Sequence, residues 1–239
     1  GGRELPGAHL VLKDADGNVV DEWDSTDTPL VIEGVLKPGE SYTLYEEAAP
    51  DGYAYAEEIT FTVSEDGTPD AVSMQDKPTQ VEISKKALTG KDELPGARLE
   101  LRDESGALIE SWVSGTEPHR IVGKLIAGKT YTLREIKAPD GYWTAEEITF
   151  TVSLDGTVDH VEMRDKETEV KVRKYGLKED GKTEIGMLSG ARLQIFDSDG
   201  KKVADWYTDG KEKLFIGLLN AGETYTLREA EAPAGFGKA

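Results

Sequence analysis

The 239-residue chain has no cysteine, only three histidines and no long apolar run. Without cysteine it can hold neither disulfides nor thiolate metal sites. His9, His119 and His160 are scattered and do not recur at equivalent positions, so no metal site, cofactor or histidine-based catalytic triad is expected. No apolar stretch approaches the ~20 residues a spanning helix needs. No secretory leader is visible, which leaves export open for an excerpt of a longer protein.

Basic residues are also scarce, 28 against 47 acidic ones, for a net charge of −19. The imbalance is uneven. Residues 1–79 carry 4 basic and 18 acidic groups (4 − 18 = −14), residues 80–168 carry 12 and 17 (−5), and residues 169–239 carry 12 and 12 (0). Such a surface repels phosphate backbones and anionic headgroups, so neither nucleic acid nor a membrane surface is expected as a partner. Solubility is the simpler meaning of the charge.

What the sequence does contain is repetition. Residues 4–85 align with 93–174 at a constant offset of 89, with 45 of 82 positions identical. Glu4-Leu5-Pro6-Gly7-Ala8 returns as Glu93-Leu94-Pro95-Gly96-Ala97, and Ala49-Pro50-Asp51-Gly52-Tyr53 as Ala138-Pro139-Asp140-Gly141-Tyr142. A third copy follows at an offset of 94, with Trp206 on Trp112 and Ala232-Pro233 on Ala138-Pro139. The five added residues fall in Gly176–Met187, a polar stretch expected to be a longer loop. A period of this size is that of a domain rather than of a solenoid unit. Within each copy, apolar residues alternate with threonine, as in Ile59-Thr60-Phe61-Thr62-Val63, and Asp-Gly, Ser-Gly and Pro-Gly pairs punctuate the runs. The expected fold is all-β: tandem immunoglobulin-like sandwich modules with little linker between them.

The expected modules are 1–79, lacking its first strand; 80–168, complete; and 169–239, lacking its last strands. Gly1 aligns with Gly90, so the first copy is expected to open inside a loop, and the third stops just past Phe236, the match to Tyr142. Asp14-Ala15-Asp16-Gly17-Asn18 faintly resembles a calcium loop, but its counterpart at 103–107 loses ligands, which favours a hairpin turn. Trp23, Trp112 and Trp206, one per copy, read as packing positions, while Tyr45, Tyr55 and Trp143 are candidates for exposed aromatics.

Alternation also places charge where it does not belong. Val81, Ile83 and Lys85 share a strand face, as do Val170, Val172 and Lys174. Tyr131, Leu133 and Glu135 share another, repeated as Tyr42, Leu44, Glu46 and as Tyr225, Leu227, Glu229. Val161, Met163 and Asp165 share a third, repeated as Val72, Met74 and Asp76. Singly, each has a bland explanation in snorkelling or turn formation. Together, on core faces, they imply chemistry. Buried ions cost several kcal/mol each unless well paired. Desolvation favours a neutral amine and a protonated carboxyl. An amine beside a carboxyl, with a second carboxyl to shuttle the proton, can form an amide and lose water.

The ordered segments Ile83-Ser84-Lys85, Leu94-Pro95-Gly96-Ala97, Tyr131-Thr132-Leu133-Arg134-Glu135 with its Ala-Pro-Asp-Gly-Tyr turn, and Met163-Arg164-Asp165 resemble the collagen-adhesin B-type (Cna-B, SpaA-like, prealbumin-like) modules of Gram-positive surface adhesins and pilins. The resemblance spans all three copies. It implies an intramolecular isopeptide bond with Lys85 as nucleophile, Asp165 as acceptor and Glu135 as catalyst. By position, Glu46 and Asp76 are the catalyst and acceptor of the first copy, and Lys174 and Glu229 the nucleophile and catalyst of the third. Many members carry Asn at the acceptor position; this chain has Asp at both visible copies. Lys86 is set aside because it lies on the opposite face and its equivalent is Tyr175. The third copy departs at Ala234 and Phe236, outside the trio.

The main expectation is a structural stalk, extracellular and anchored to the cell wall or secreted, whose partners are the neighbouring repeats of the same chain. An adhesin contacting a host surface or matrix protein is the alternative, and an accessory region of a secreted enzyme is a third. Turnover is not expected, because the cross-linking reaction consumes its own residues once per module.

Overall fold

A computed structural model describes residues 4–66, 68 and 70–238; the expectation concerning Gly1 lies outside them. Among the described residues there is no helix. The first repeat contributes β1 (His9–Asp14), β2 (Val19–Asp24), β3 (Ser41–Ala48) and β4 (Ile59–Thr62), joined in one sheet in the order β2-β1-β3-β4. The second contributes β5 (Gln80–Ala87), β6 (Arg98–Arg102), β7 (Leu108–Val113), β8 (His119–Val122), β9 (Thr130–Lys137), β10 (Ile148–Thr151) and β11 (Val158–Asp165). These form two sheets, β10-β9-β6-β7 and β11-β5-β8. The third contributes β12 (Glu169–Val172), β13 (Tyr175–Leu177), β14 (Glu184–Met187), β15 (Ser189–Phe196), β16 (Lys202–Asp209), β17 (Lys213–Ile216) and β18 (Thr226–Glu231). Here the sheets are β16-β15-β18, β12-β17 and the hairpin β13-β14.

The second repeat shows why these sequences fold as sandwiches. Its sheets carry alternating side chains, so Leu99 and Leu101 of β6, Leu133 of β9, Val81 and Ile83 of β5 and Met163 of β11 all turn into one enclosed core. Each such side chain, withdrawn from water, contributes about 1.5–3 kcal/mol. The tyrosine hydroxyl at the equivalent position of each repeat finds a partner. The Tyr131 hydroxyl accepts the Ile126 N–H at 3.0 Å, as Tyr42 accepts from Lys37 and Tyr225 from Asn220. The Asp14 loop is the expected hairpin turn. Its carboxylate accepts the N–H groups of Asp16 and Asn18, an arrangement Asp103 repeats with Ser105 and Ala107 and Asp197 repeats with Asp199 and Lys201. Trp23 and Trp112 pack against the cores of their repeats, and Trp206 meets Phe215 edge-on.

Strand β5 organises the second sheet. It pairs parallel with β11 and antiparallel with β8, and so lies between them. In the third repeat its counterpart β12 pairs with β17, and the sheet is two-stranded. In the first repeat nothing within the described residues plays this part, and neither 30–33 nor 70–78 is a strand. The expected strand through Val72, Met74 and Asp76 is therefore absent, and those residues are only half-buried. A strand needs a hydrogen-bonding neighbour, and the central one is what these two segments lack.

Two expectations for the third repeat also change. Gly176–Met187 is not a plain loop, since β13 and β14 form a hairpin over Tyr175–Leu177 and Glu184–Met187. Lys174 lies past the end of β12 and is half-buried, and Leu227 is 51% exposed instead of in a core. Among the described residues β18 pairs with β15 alone, whereas β9, its counterpart in the second repeat, pairs with both β6 and β10.

Candidate self-cross-linking site

Three strands of the second repeat deliver the charged side chains foreseen from alternation to one enclosed place. Lys85 follows Val81 and Ile83 on the inner face of β5, Asp165 ends β11, and Glu135 lies near the end of β9. Lys85 is 1% exposed and Asp165 0%. The Lys85 Nζ lies 2.9 Å from Glu135 Oε1 and directly against Asp165 Oδ1. Parallel pairing sets the reach: Lys85 stands opposite Met163, so its side chain extends one alternation forward to Asp165.

Neighbouring groups hold each member. Glu135 Oε2 accepts the Ala145 N–H at 2.6 Å, just past the Ala-Pro-Asp-Gly-Tyr turn. The Lys85 N–H donates to Glu93 Oε2 at 2.9 Å, and its carbonyl accepts the Leu94 N–H at 2.6 Å. Arg164, beside Asp165, donates to the carbonyls of Ala87, Leu88 and Gly90 and so ties β11 to the end of β5. Asp165 Oδ2 is enclosed without a hydrogen bond. Burial pushes the Asp165 carboxyl up to about 6; Lys85 opposes this rise, and the charge of Glu135 adds to it. Burial also raises the Tyr142 phenol, with help from Glu167 and Asp165. Lys86 faces away, 3.0 Å from Glu162.

The first repeat holds two members of the equivalent group. Glu46 is 7% exposed, its Oε2 accepts the Ala56 N–H at 2.8 Å as Glu135 does from Ala145, and its Oε1 has no hydrogen-bond partner. Burial lifts Glu46 to about 7, countered by that backbone bond and aided by the charge of Asp76. Asp76 is raised by burial as well. In the third repeat Lys174 Nζ lies 3.1 Å from Glu229 Oε1. The structure thus brings Lys85, Glu135 and Asp165 together, places Glu46 with Asp76, and places Lys174 with Glu229. Glu93 and Arg164 were not singled out from the sequence. Glu93 was visible as part of the repeated Glu-Leu-Pro-Gly-Ala block, whereas Arg164 has Gln75 as its counterpart and gave no such signal.

Among the described residues no group of His, Asp and Glu has the arrangement of a metal site. The site brings together an amine and two carboxyls in a buried core.

A family model described as the SpaA prealbumin-like fold domain matches residues 1–78, 79–167 and 169–239. No curated protein matches the chain. Among solved structures, the Bacillus anthracis TIE protein is 22% identical with a TM-score of 0.49, over 97% of this chain and 43% of that one. The shaft pilin SpaA from Lactobacillus rhamnosus GG is 15% identical with a TM-score of 0.32, over 69% of this chain and 88% of that one. The C-terminal fragment of the pilus adhesin SpaC from Lactobacillus rhamnosus GG is 19% identical with a TM-score of 0.33, over 68% and 89%. The chain thus spans less than half the length of the TIE protein. With the family model matching almost end to end, the chain belongs to the SpaA prealbumin-like fold domain family, in three tandem copies.

Proposed function

We propose that this chain is a stalk segment of a bacterial surface adhesin or pilin, and that its second module locks itself with a Lys85–Asp165 amide. The observation that carries this reading is the enclosure of Lys85, Asp165 and Glu135 in one core with the amine against both carboxyls. A plain buried ion pair is a poor device for stability, since desolvating both charges offsets their attraction. Amide formation removes both charges for good.

The step balances without an oxidant or cofactor. A proton passes from the Lys85 ammonium to the carboxyl pair, and the neutral Nζ attacks Cγ of Asp165. Glu135 takes the second proton from nitrogen and returns it to the departing oxygen. The C–O bond breaks, water leaves, and one amide remains. Burial that raises Asp165 toward its protonated form assists both attack and departure. Each module reacts once, so there is no turnover.

Family membership supports the surface location and the structural role, as do the tandem arrangement and the resemblance to adhesin and pilin modules. The proposed partners are the neighbouring modules. By the same reading Glu46 and Asp76 await a first-strand lysine, and Lys174 and Glu229 a last-strand acceptor. Intact-mass measurement of the folded chain tests the proposal: a mass below that of the sequence by one water is expected, and a full unmodified mass overturns it.

A further inference from the structure

The two junctions between repeats are built alike, around one buried threonine each. Thr79 precedes β5 directly and is 2% exposed; Thr168 precedes β12 and is 4% exposed. The Thr79 N–H donates to the Gly52 carbonyl at 2.9 Å, and its own carbonyl accepts the Gly123 N–H at 2.9 Å. Its hydroxyl reaches the Leu125 carbonyl at 2.7 Å and that of Gly52 at 3.2 Å. One residue thus bridges the Gly-Tyr turn of the first repeat and the turn following β8 in the second. Thr168 repeats all of this with Gly141 (2.8 Å), Gly217 (2.9 Å) and Leu219 (2.5 Å). Its hydroxyl likewise lies 3.2 Å from the Gly141 carbonyl.

Two glycines meet across each joint. Gly52 and Gly141 have φ of 85°, and a Cβ on either would collide with the carbonyl of Gly123 or Gly217 respectively. Further bonds differ between the joints. Tyr55 N–H donates to Leu154 O at 2.8 Å in the first, and Gly141 N–H to Asn220 Oδ1 at 2.8 Å in the second. The receiving turn is preformed. Gly34, the equivalent of Gly123 in the first repeat, has φ of 70° against 65°, although a Cβ there would meet nothing within 4 Å.

We propose that this threonine clasp is a dedicated module–module docking surface that holds successive modules in one fixed orientation and makes the array a stiff rod. Linkers of flexible composition leave domains free to swivel. Here, swivelling would strip buried N–H, O–H and carbonyl groups of their partners, and each such loss is costly in a site closed to water. The partner each turn fits is another module of this kind, presenting a Gly-Tyr turn and a threonine ahead of its first strand. The clasp does not depend on the Lys85–Asp165 amide.

The test uses the full chain. Because it lacks cysteine, Glu117→Cys and Lys201→Cys, exposed positions on either side of the second joint, accept spin labels without other changes. Pulsed dipolar spectroscopy on the doubly labelled parent should give one narrow distance distribution. Adding Gly141→Ala should broaden or shift it, and so should Thr168→Val, which keeps the side chain's shape and deletes the bridging hydroxyl. Gly106→Ala is the control: Gly106 has φ of 83° but nothing within 4 Å, so it carries the backbone strain without the collision. That variant should keep the parent distribution. A broad distribution in the labelled parent, or parent-like distributions in both Gly141→Ala and Thr168→Val, overturns the proposal.

Discussion

Lys85 and Asp165, 80 positions apart in sequence, touch inside the second repeat, one near the end of its first strand and the other at the end of its last. Because these strands are parallel neighbours, the contact joins the two ends of the module and encloses nearly all of its chain. The consequences for mass, stability and force follow from that closure.

Chemistry at the site should depend on Glu135. In the Glu135→Gln variant the charge and the proton shuttle are lost while the shape and one hydrogen-bond acceptor remain. The sandwich should fold with an unchanged far-ultraviolet spectrum, and time-resolved intact mass should show the loss of water slowed or abolished. Rapid, complete bonding in this variant would remove Glu135 from the mechanism.

The mass deficit should be one water and no more. Among the described residues no lysine acts on Glu46 or Asp76, and Lys174 pairs with Glu229 alone. A deficit of two or three waters would contradict this assignment. Covalent dimers on a denaturing gel would show that another molecule supplies the missing strand, as in donor-strand complementation; monomeric bands are expected.

Replacing Lys85 by Ala should cost both stability and mechanical strength. Closing a loop of this length restricts the unfolded chain by about 4–5 kcal/mol, by analogy with a disulfide. Two buried carboxyls would also lose their counter-charge. For a domain of this size the melting temperature of the second module should fall by about 20 °C or more. Under single-molecule pulling the variant should show an additional extension of about 270 Å, from roughly 80 residues at ~3.4 Å each. Identical extension in wild type and Lys85→Ala would show that the amide does not carry load.

The first module should lose stability as the pH rises. Glu46 sits at about 7 in the folded state against an ordinary 4.5, so the folded form binds the proton more tightly than the unfolded chain. For a raised carboxyl the stabilising effect is complete below about 4.5 and fades as the pH climbs to about 7. Asp76, raised by the same burial, acts in the same direction. Hydrogen-exchange protection of β3 should therefore decline between these values, and Glu46→Gln should flatten the decline relative to wild type. An equal slope in both proteins would place the pH sensitivity elsewhere, such as in the many other acidic groups of residues 1–79.

Periodicity and repetition in the sequence were enough for the all-β class, the threefold repeat and, in the second repeat, the inward faces of the strands. Alternation with period two is a local property, so Val81, Ile83 and Lys85 had to share a face wherever that strand was placed. The inward-facing charges were legible for the same reason. Tertiary structure alone decided which of them meet. Lys85, Glu135 and Asp165 converge only because β5 lies between β8 and β11 with β9 on the facing sheet, and strand order is set by pairing across long stretches of chain. It also decided that Val72–Asp76 would not be a strand, since an apolar pattern cannot form one without a hydrogen-bonding neighbour. The junctions depended on it too. Thr79 and Thr168 are identical at the repeat offset, but nothing local distinguishes a surface threonine from one buried between two modules. That distinction arises only when two turns, each folded by its own repeat, close around the hydroxyl and leave it no water to bond.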